Sequence, residues 1–264
     1  MKKLSAVILL ALMLPAHAES AATDIASCLR GNVLPGSQIQ DLELEATDIH
    51  GEKRLMKGKL YSAREDLPNA PGLLRATLRL SSPAHLAGAA YMLKQTEDRR
   101  FDSMYVYLPA VKRVRRISTE FSDGPLLGTN FSYFEFKQLS NAFGDLNAKV
   151  DGSEKYEGRD VTLMTFSARP EGARTEYTSV NLRVDQKTCV PLTAEFMKGT
   201  SVRKRFSGSP KALKQSKNYW YLTEMEMRDI LDDTFTVLRV TSLETVKDLP
   251  KRYFEPATFY LGDQ

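Results

Sequence analysis

The chain has 264 residues, 27% of them charged and 42% hydrophobic, with a formal net charge of +4. Lys2 and Lys3 supply half of that surplus, so residues 19–264 carry a formal +2. A near-neutral chain of this length can bury a full core and has no general electrostatic footprint for nucleic acid.

After the two lysines comes an apolar run from Leu4 to Leu14, then Pro15 and Ala16-His17-Ala18. A basic start, an apolar core too short to span a bilayer and an A-x-A site form the pattern of a cleaved export signal. The expected organisation is a signal peptide over residues 1–18 and a single β domain over 19–264. Export makes Cys28 and Cys189, the two cysteines of the chain, a candidate disulfide. Ile25-Ala26-Ser27-Cys28 also has the look of a loose lipobox, which would make Cys28 a lipidated N-terminus. Against this, Glu19 and Asp24 stand between it and the apolar core.

From Ile39 to Ile49, Leu42, Leu44 and Ala46 alternate with Asp41, Glu43 and Glu45, which is the period of a half-buried strand. His50-Gly51-Glu52 turns the chain into a partner strand over Leu55–Arg64. Leu74 to Leu80 alternates again, and Leu86–Lys94 is apolar on both faces, a buried strand or a short helix. In Met104–Leu108 both faces are partly apolar, with Tyr105 and Tyr107 on the side opposite Met104 and Val106. That pattern fits a sheet with a core on one face and a covered or ligand-facing surface on the other. A basic strand follows from Lys112 to Ser118. Phe131–Ser140 is the best helix candidate, with Asn130 as a plausible N-cap.

Further strands are predicted at Ala148–Tyr156, Val161–Ser167, Thr175–Val184, Val190–Lys198, Val202–Ser207, Tyr219–Met227 and Thr234–Leu243. Tight turns such as Glu157-Gly158-Arg159-Asp160 join them. Strands with short connections throughout predict a mainly β fold with few helices, built on one large, strongly curved antiparallel sheet.

Catalytic patterns are absent: no H-E-x-x-H, G-x-S-x-G, P-loop or dinucleotide fingerprint occurs, and no metal-ligand spacing. The expectation is a protein that is not an enzyme and uses no cofactor, although a carboxylate-pair hydrolase needs no local motif. Two basic clusters stand out. Lys112, Arg113, Arg115 and Arg116 alternate across their strand, as salt-bridge partners or as a clamp on an anionic headgroup or a loop carbonyl. Lys198, Arg203, Lys204, Arg205, Lys211, Lys214 and Lys217 occur with no acid between them, as a solvated hairpin or an electrostatic dock.

Several elements carry a resemblance: Asp102-x-x-Tyr105-x-Tyr107-Leu108-Pro109, Lys112-Arg-Val-Arg-Arg-Ile117, Leu127-Gly-Thr-Asn-Phe-Ser-Tyr133, Ser82-Pro83-x-x-Leu86-x-Gly88 and Asp185-x-x-x-Cys189-x-Pro191. Together they resemble the LolA-like outer membrane lipoprotein-sorting family, with Glu135 where that family commonly has an aspartate. The resemblance implies a half-open β-barrel capped by short helices over an apolar cavity. It further implies a periplasmic carrier for the acyl chain of a lipoprotein or lipid, moving toward the outer membrane, at times alongside a resistance-nodulation-division (RND) transporter. A non-carrying docking subunit is the alternative, and an envelope hydrolase a distant third. The ligand-facing residues expected on this basis are Tyr105, Tyr107, Arg113, Arg116, Phe131, Tyr133, Phe134 and Phe136.

Overall fold

The computed structural model of the chain describes residues 25–32, 36–67, 70–96, 102–118, 122–140, 143, 146–167 and 175–262. The leader expected over residues 1–18 lies outside them. A short helix, α1, occupies residues 25–31. The strands that follow are β1 (Ser37–Thr47), β2 (Lys53–Leu67), β3 (Ala70–Ser82), β4 (Ala90–Lys94), β5 (Ser103–Leu108) and β6 (Arg113–Ile117). After helix α2 (Tyr133–Ser140) come β7 (Asn147–Tyr156), β8 (Arg159–Ser167), β9 (Ser179–Asp185), β10 (Pro191–Lys198) and β11 (Ser201–Ser207). The hairpin β12 (Leu213–Ser216) and β13 (Tyr219–Leu222) precedes β14 (Glu224–Asp229) and β15 (Thr234–Val246).

Thirteen of these strands form one antiparallel sheet in the order β6-β5-β4-β3-β2-β1-β15-β14-β11-β10-β9-β8-β7, while β12 and β13 pair apart from it. Two meanders therefore meet in the middle of the sheet, where the first strand pairs with the last and Leu44 sits opposite Leu238. The two edges, β6 and β7, are consecutive in the chain. They do not pair with each other, so the barrel stays half open, and the segment between them must cross from one side of the sheet to the other. It crosses on the concave face. The main core joins Leu42, Met56, Leu78, Tyr91 and Val106 of the first meander to Val161, Leu182, Phe196 and Phe206 of the second, with Phe131, Phe134 and Phe143 of the crossing between them. The mainly β, half-open fold expected from the sequence is what the chain adopts.

The convex face has a covering of its own. A 3-10 turn at Lys251–Phe254 and the residues after it strap the chain's end across β2 to β5. Tyr253 lies 4.6 Å from Tyr61, ring to ring, and the Arg79 guanidinium sits 5.1 Å from the Tyr61 ring and 5.2 Å from that of Tyr253. Thr77 donates its hydroxyl to the Tyr253 carbonyl at 2.6 Å.

Some elements differ from the prediction. Only Ala90–Lys94 of the run Leu86–Lys94 is strand, because a turn over residues 84–88 carries the chain from β3 into it. The single strand expected at Tyr219–Met227 is two. At Thr223 the chain leaves its pairing with β12 and enters the large sheet, its amide bonded to the Ala212 carbonyl and its carbonyl to the Val240 amide.

Candidate functional site

Helix α2 opens on a reciprocal cap. The Ser132 amide donates to Glu135 Oε2 at 2.7 Å, and the Glu135 amide donates to Ser132 Oγ at 3.1 Å. This is the capping box written in the sequence as Ser132-x-x-Glu135. The N-cap is therefore Ser132 and not Asn130, whose side chain is engaged elsewhere: it donates to Thr234 and accepts from Thr236, both on β15.

Every residue from Phe131 to Gln138 is buried, so α2 is a plug inside the half-barrel and not a surface lid. Its charged groups are paired, one to each meander. Glu135, with no exposure, takes the Lys204 ammonium at 3.1 Å and the Tyr177 hydroxyl at 2.5 Å. Lys137 pairs with Asp102 at 3.0 Å, and both side chains are almost fully buried. Burial, then the neighbouring Glu135 charge, pushes the Tyr177 phenol far up, so it stays a donor. Upstream of the helix, Leu127 and Gly128 both have positive φ, and the Thr129 amide closes the turn on the Leu126 carbonyl at 3.0 Å. The Arg54 guanidinium grips the Gly128 carbonyl.

Between α2 and the concave face lies a cavity of about 240 Å³. Phe131, Phe136 and Leu139 form its helix side, and Leu42, Leu60, Leu74, Leu238 and Val240 its sheet side. The hairpin β12–β13 supplies Tyr219, Trp220, Tyr221 and Leu222, and α1 with the residue after it supplies Leu29 and Asn32. Two ties hold α1 in place. Cys28 is bonded to Cys189, with their Cα atoms 5.5 Å apart, which realises the disulfide expected from the pair. Asn32 donates to the Trp220 carbonyl at 2.9 Å and accepts from the Trp220 amide at 2.8 Å.

Asp185 builds the turn that presents Cys189. It accepts from the Thr188 amide and hydroxyl, both at 2.8 Å, and takes a two-pronged pair from Arg159 at 2.6 and 2.8 Å. Burial pushes its carboxyl up, but these bonds outweigh burial and hold it below the usual carboxylate range. With the folded value below the unfolded one near 3.9, the stabilisation is complete above the unfolded value and is lost as pH falls through the folded one. Asp185→Asn is therefore expected to lose stability at pH 7 and to decline less than wild type between about pH 5 and pH 2 in urea titrations. Parallel pH curves for the two proteins would count against this role.

The expected ligand residues separate into groups. Phe131 and Phe136 line the cavity. Phe134 does not: it is buried against Tyr177, ring centroids 5.7 Å apart. Tyr133 packs on Tyr91 at 5.1 Å. Tyr105 and Tyr107 point to the convex side, under the C-terminal strap, where Tyr107 stacks on Tyr260 at 4.0 Å. The alternation did show two partly apolar faces, but the covering is the chain's own tail. Arg113 and Arg116 are exposed on the edge strand β6, away from the cavity lining. A grip on a loop carbonyl, one of the alternatives weighed for them beside a salt bridge, is made by Arg54. The basic run from Lys198 is mostly neutralised across strands, because Lys198 pairs with Glu176, Arg203 with Asp229, Lys204 with Glu135 and Arg205 with Glu195. Acids distant in sequence answer these bases, which a linear count does not reveal.

A family model described as "Uncharacterized protein" matches residues 73–260. No curated protein matches the chain. Among solved structures, a protein of a family of unknown function from Desulfovibrio piger superposes with a TM-score of 0.81 at 20% identity, covering 89% of this chain and 96% of that one. A protein described as an outer membrane lipoprotein-sorting domain, from Vibrio parahaemolyticus, gives 0.80 at 21% identity, covering 91% and 99%. A LolA superfamily protein from Nitrosomonas europaea gives 0.67 at 18%, covering 89% and 97%. At such identities the likeness carries the fold and leaves the cargo to the site itself. The chain belongs to the family whose model spans residues 73–260, and its fold is the LolA-like half-barrel.

Proposed function

We propose that this chain is a periplasmic carrier that holds the acyl chain of a lipoprotein or lipid in its cavity during transfer toward the outer membrane. It is a binding protein and not an enzyme. One observation carries the reading: a cavity walled by Phe131, Phe136, Leu139, Leu42, Leu238 and Val240 lies inside a fold shared with a protein described as a lipoprotein-sorting domain. Apolar walls favour an acyl chain by about 0.8 kcal/mol per buried methylene. The volume of about 240 Å³ is below the roughly 300–1,000 Å³ of ordinary ligand pockets, so a long chain enters fully only when the closure opens. Besides α2, the parts outside the large sheet that wall it are α1 and the β12–β13 hairpin.

Mass spectrometry of lipid retained by protein purified from its native periplasm tests this directly, and two variants sharpen it. Phe136→Ala is expected to weaken binding of a fluorescent fatty-acid probe by about tenfold or more, since that ring forms the wall. Phe134→Ala is expected to lose about 3–5 kcal/mol of stability with affinity kept. Equal stability losses with unchanged affinity in both would make α2 ordinary core.

A second reading, a docking subunit of an RND-type envelope transporter, has one observation in its favour. By the strand registers, the β1–β2, β5–β6 and β14–β15 turns lie at one end of the sheet, and they expose Ile49, Val111, Ile230 and Leu231. Apolar tips gathered at one end suit a protein partner. Such a dock is compatible with carriage and is the place where we expect a transporter to engage.

A further inference from the structure

The basic run from Lys198 has two halves with different fates. Up to Arg205 its bases pair with acids across strands, whereas Lys211, Lys214 and Lys217 are exposed and make no ion pair among the described residues. All three belong to the β12–β13 hairpin and its approach. Lys211 lies in the 3-10 turn that leads into it, Lys214 on β12, and Lys217 at its tip, where φ is positive. No acid occurs from Phe206 to Leu222. Glu157 touches the base of the hairpin, where it accepts the Ser209 hydroxyl at 3.1 Å, and is paired to none of these lysines. A fourth base adjoins them: Arg30 of α1 is exposed, and two residues on, Asn32 is bonded to the Trp220 backbone.

The hairpin has two faces. Cross-strand partners share a side, so Leu213, Trp220 and Leu222 lie on one, packed against the main core, and Lys214, Tyr219 and Tyr221 on the other. The Tyr219 and Tyr221 rings stack 5.9 Å apart and are half-buried. None of the exposed large hydrophobic side chains is on this hairpin. Ile230 and Leu231 follow Asp229 at one end of the β11–β14 ladder, and the hairpin joins those strands at the other end, past Ser207 and Glu226. A protein interface needs an apolar centre and is poor in lysine. Lysine beside tyrosine and tryptophan, with no apolar protrusion, suits the headgroup layer of an anionic bilayer. There each base contributes about fivefold to binding, and aromatic rings rest at the boundary.

We infer that the β12–β13 hairpin docks this protein on an anionic phospholipid surface. The same hairpin lines the cavity with Tyr219, Trp220, Tyr221 and Leu222, so docking sets that wall of the cavity beside the bilayer. The docking stands apart from the carrier reading; its use in loading or releasing cargo rests on that reading.

The test is co-sedimentation of the full exported protein with vesicles of phosphatidylcholine, alone or with about 30 mol% phosphatidylglycerol. Wild type is expected to bind the anionic vesicles about tenfold or more tightly than the neutral ones. Most of that preference should vanish between about 0.02 and 0.5 M salt, as the charges are screened. Lys211→Gln, Lys214→Gln and Lys217→Gln combined is expected to lose the preference, with Tm and binding of a fluorescent fatty-acid probe as in wild type. Lys53→Gln, Lys57→Gln and Lys155→Gln combined removes the same charge from exposed lysines elsewhere and is expected to keep it. Equal binding of wild type to the two vesicles, or equal losses in the two triple variants, would overturn the hairpin as a dock and leave the carrier standing. Lysine-dependent binding to poly-glutamate, with none to phosphatidylglycerol vesicles, would assign the hairpin to an acidic protein and overturn the bilayer. A fatty-acid probe that fails to bind wild type, with vesicle docking intact, would sink the carrier reading alone.

Discussion

Glu135→Ala is expected to cost about 3–5 kcal/mol of folding stability, among the largest effects of any single substitution on α2. The change removes three things at once. The capping box with Ser132 is lost, the Tyr177 hydroxyl loses its acceptor, and the Lys204 ammonium is left almost buried without its counter-charge. The third effect dominates, because an unpaired buried ion costs more than a cap, which is worth about 1 kcal/mol. A double-mutant cycle separates them. Lys204→Met alone leaves Glu135 unpaired and should also be severe, whereas Glu135→Leu with Lys204→Met should regain much of the loss. Urea-denaturation midpoints that simply add across the cycle would show that the pair is not coupled. Because Lys137 and Asp102 make a comparable buried pair on the other meander, α2 should stay anchored on that side when Glu135 is lost. Probe binding is then expected to weaken less than stability does.

The fold was legible in the sequence because its strands obey the period-two rule. The alternation of Leu42, Leu44 and Ala46 with Asp41, Glu43 and Glu45 reports a face before any partner is known. The site was legible only in part. Phe131, Tyr133, Phe134 and Phe136 read alike in the sequence, and composition cannot say which ring of a run buried from Phe131 to Gln138 meets a cavity. That depends on where the sheet stops filling space. Ser132-x-x-Glu135 is a capping motif in the sequence, and it caps the helix in place of Asn130. Lys204 sits in a run that reads as solvated bases, and what makes it special is Glu135, a residue 69 positions away that only the strand order brings to it. Tyr105 and Tyr107 mislead for the same reason: a second apolar face has the same pattern whether it is covered by a ligand or by the chain's own tail.

Replacing both Cys28 and Cys189 by alanine is expected to lower stability by about 4–5 kcal/mol, because the bond closes a loop of 161 residues in the unfolded chain. For a protein of this length that corresponds to a fall of roughly 10–15 °C in Tm. The loss should be felt in the cavity as well as in the melt. Besides the disulfide, α1 is held by Leu29 and Ala26 in the core and by the Asn32–Trp220 pair, and with the residue after it contributes Leu29 and Asn32 to the lining. A helix of about seven residues has little stability of its own, so its position depends on those contacts. Without the covalent tie α1 should open more often, and a bound fluorescent fatty acid should leave faster, with a smaller change in how quickly it enters. Stopped-flow release from the cysteine-free variant, measured well below its Tm, reads this directly. A variant that melts early yet releases the probe at the wild-type rate would mean that the disulfide staples the fold and has no part in closing the cavity.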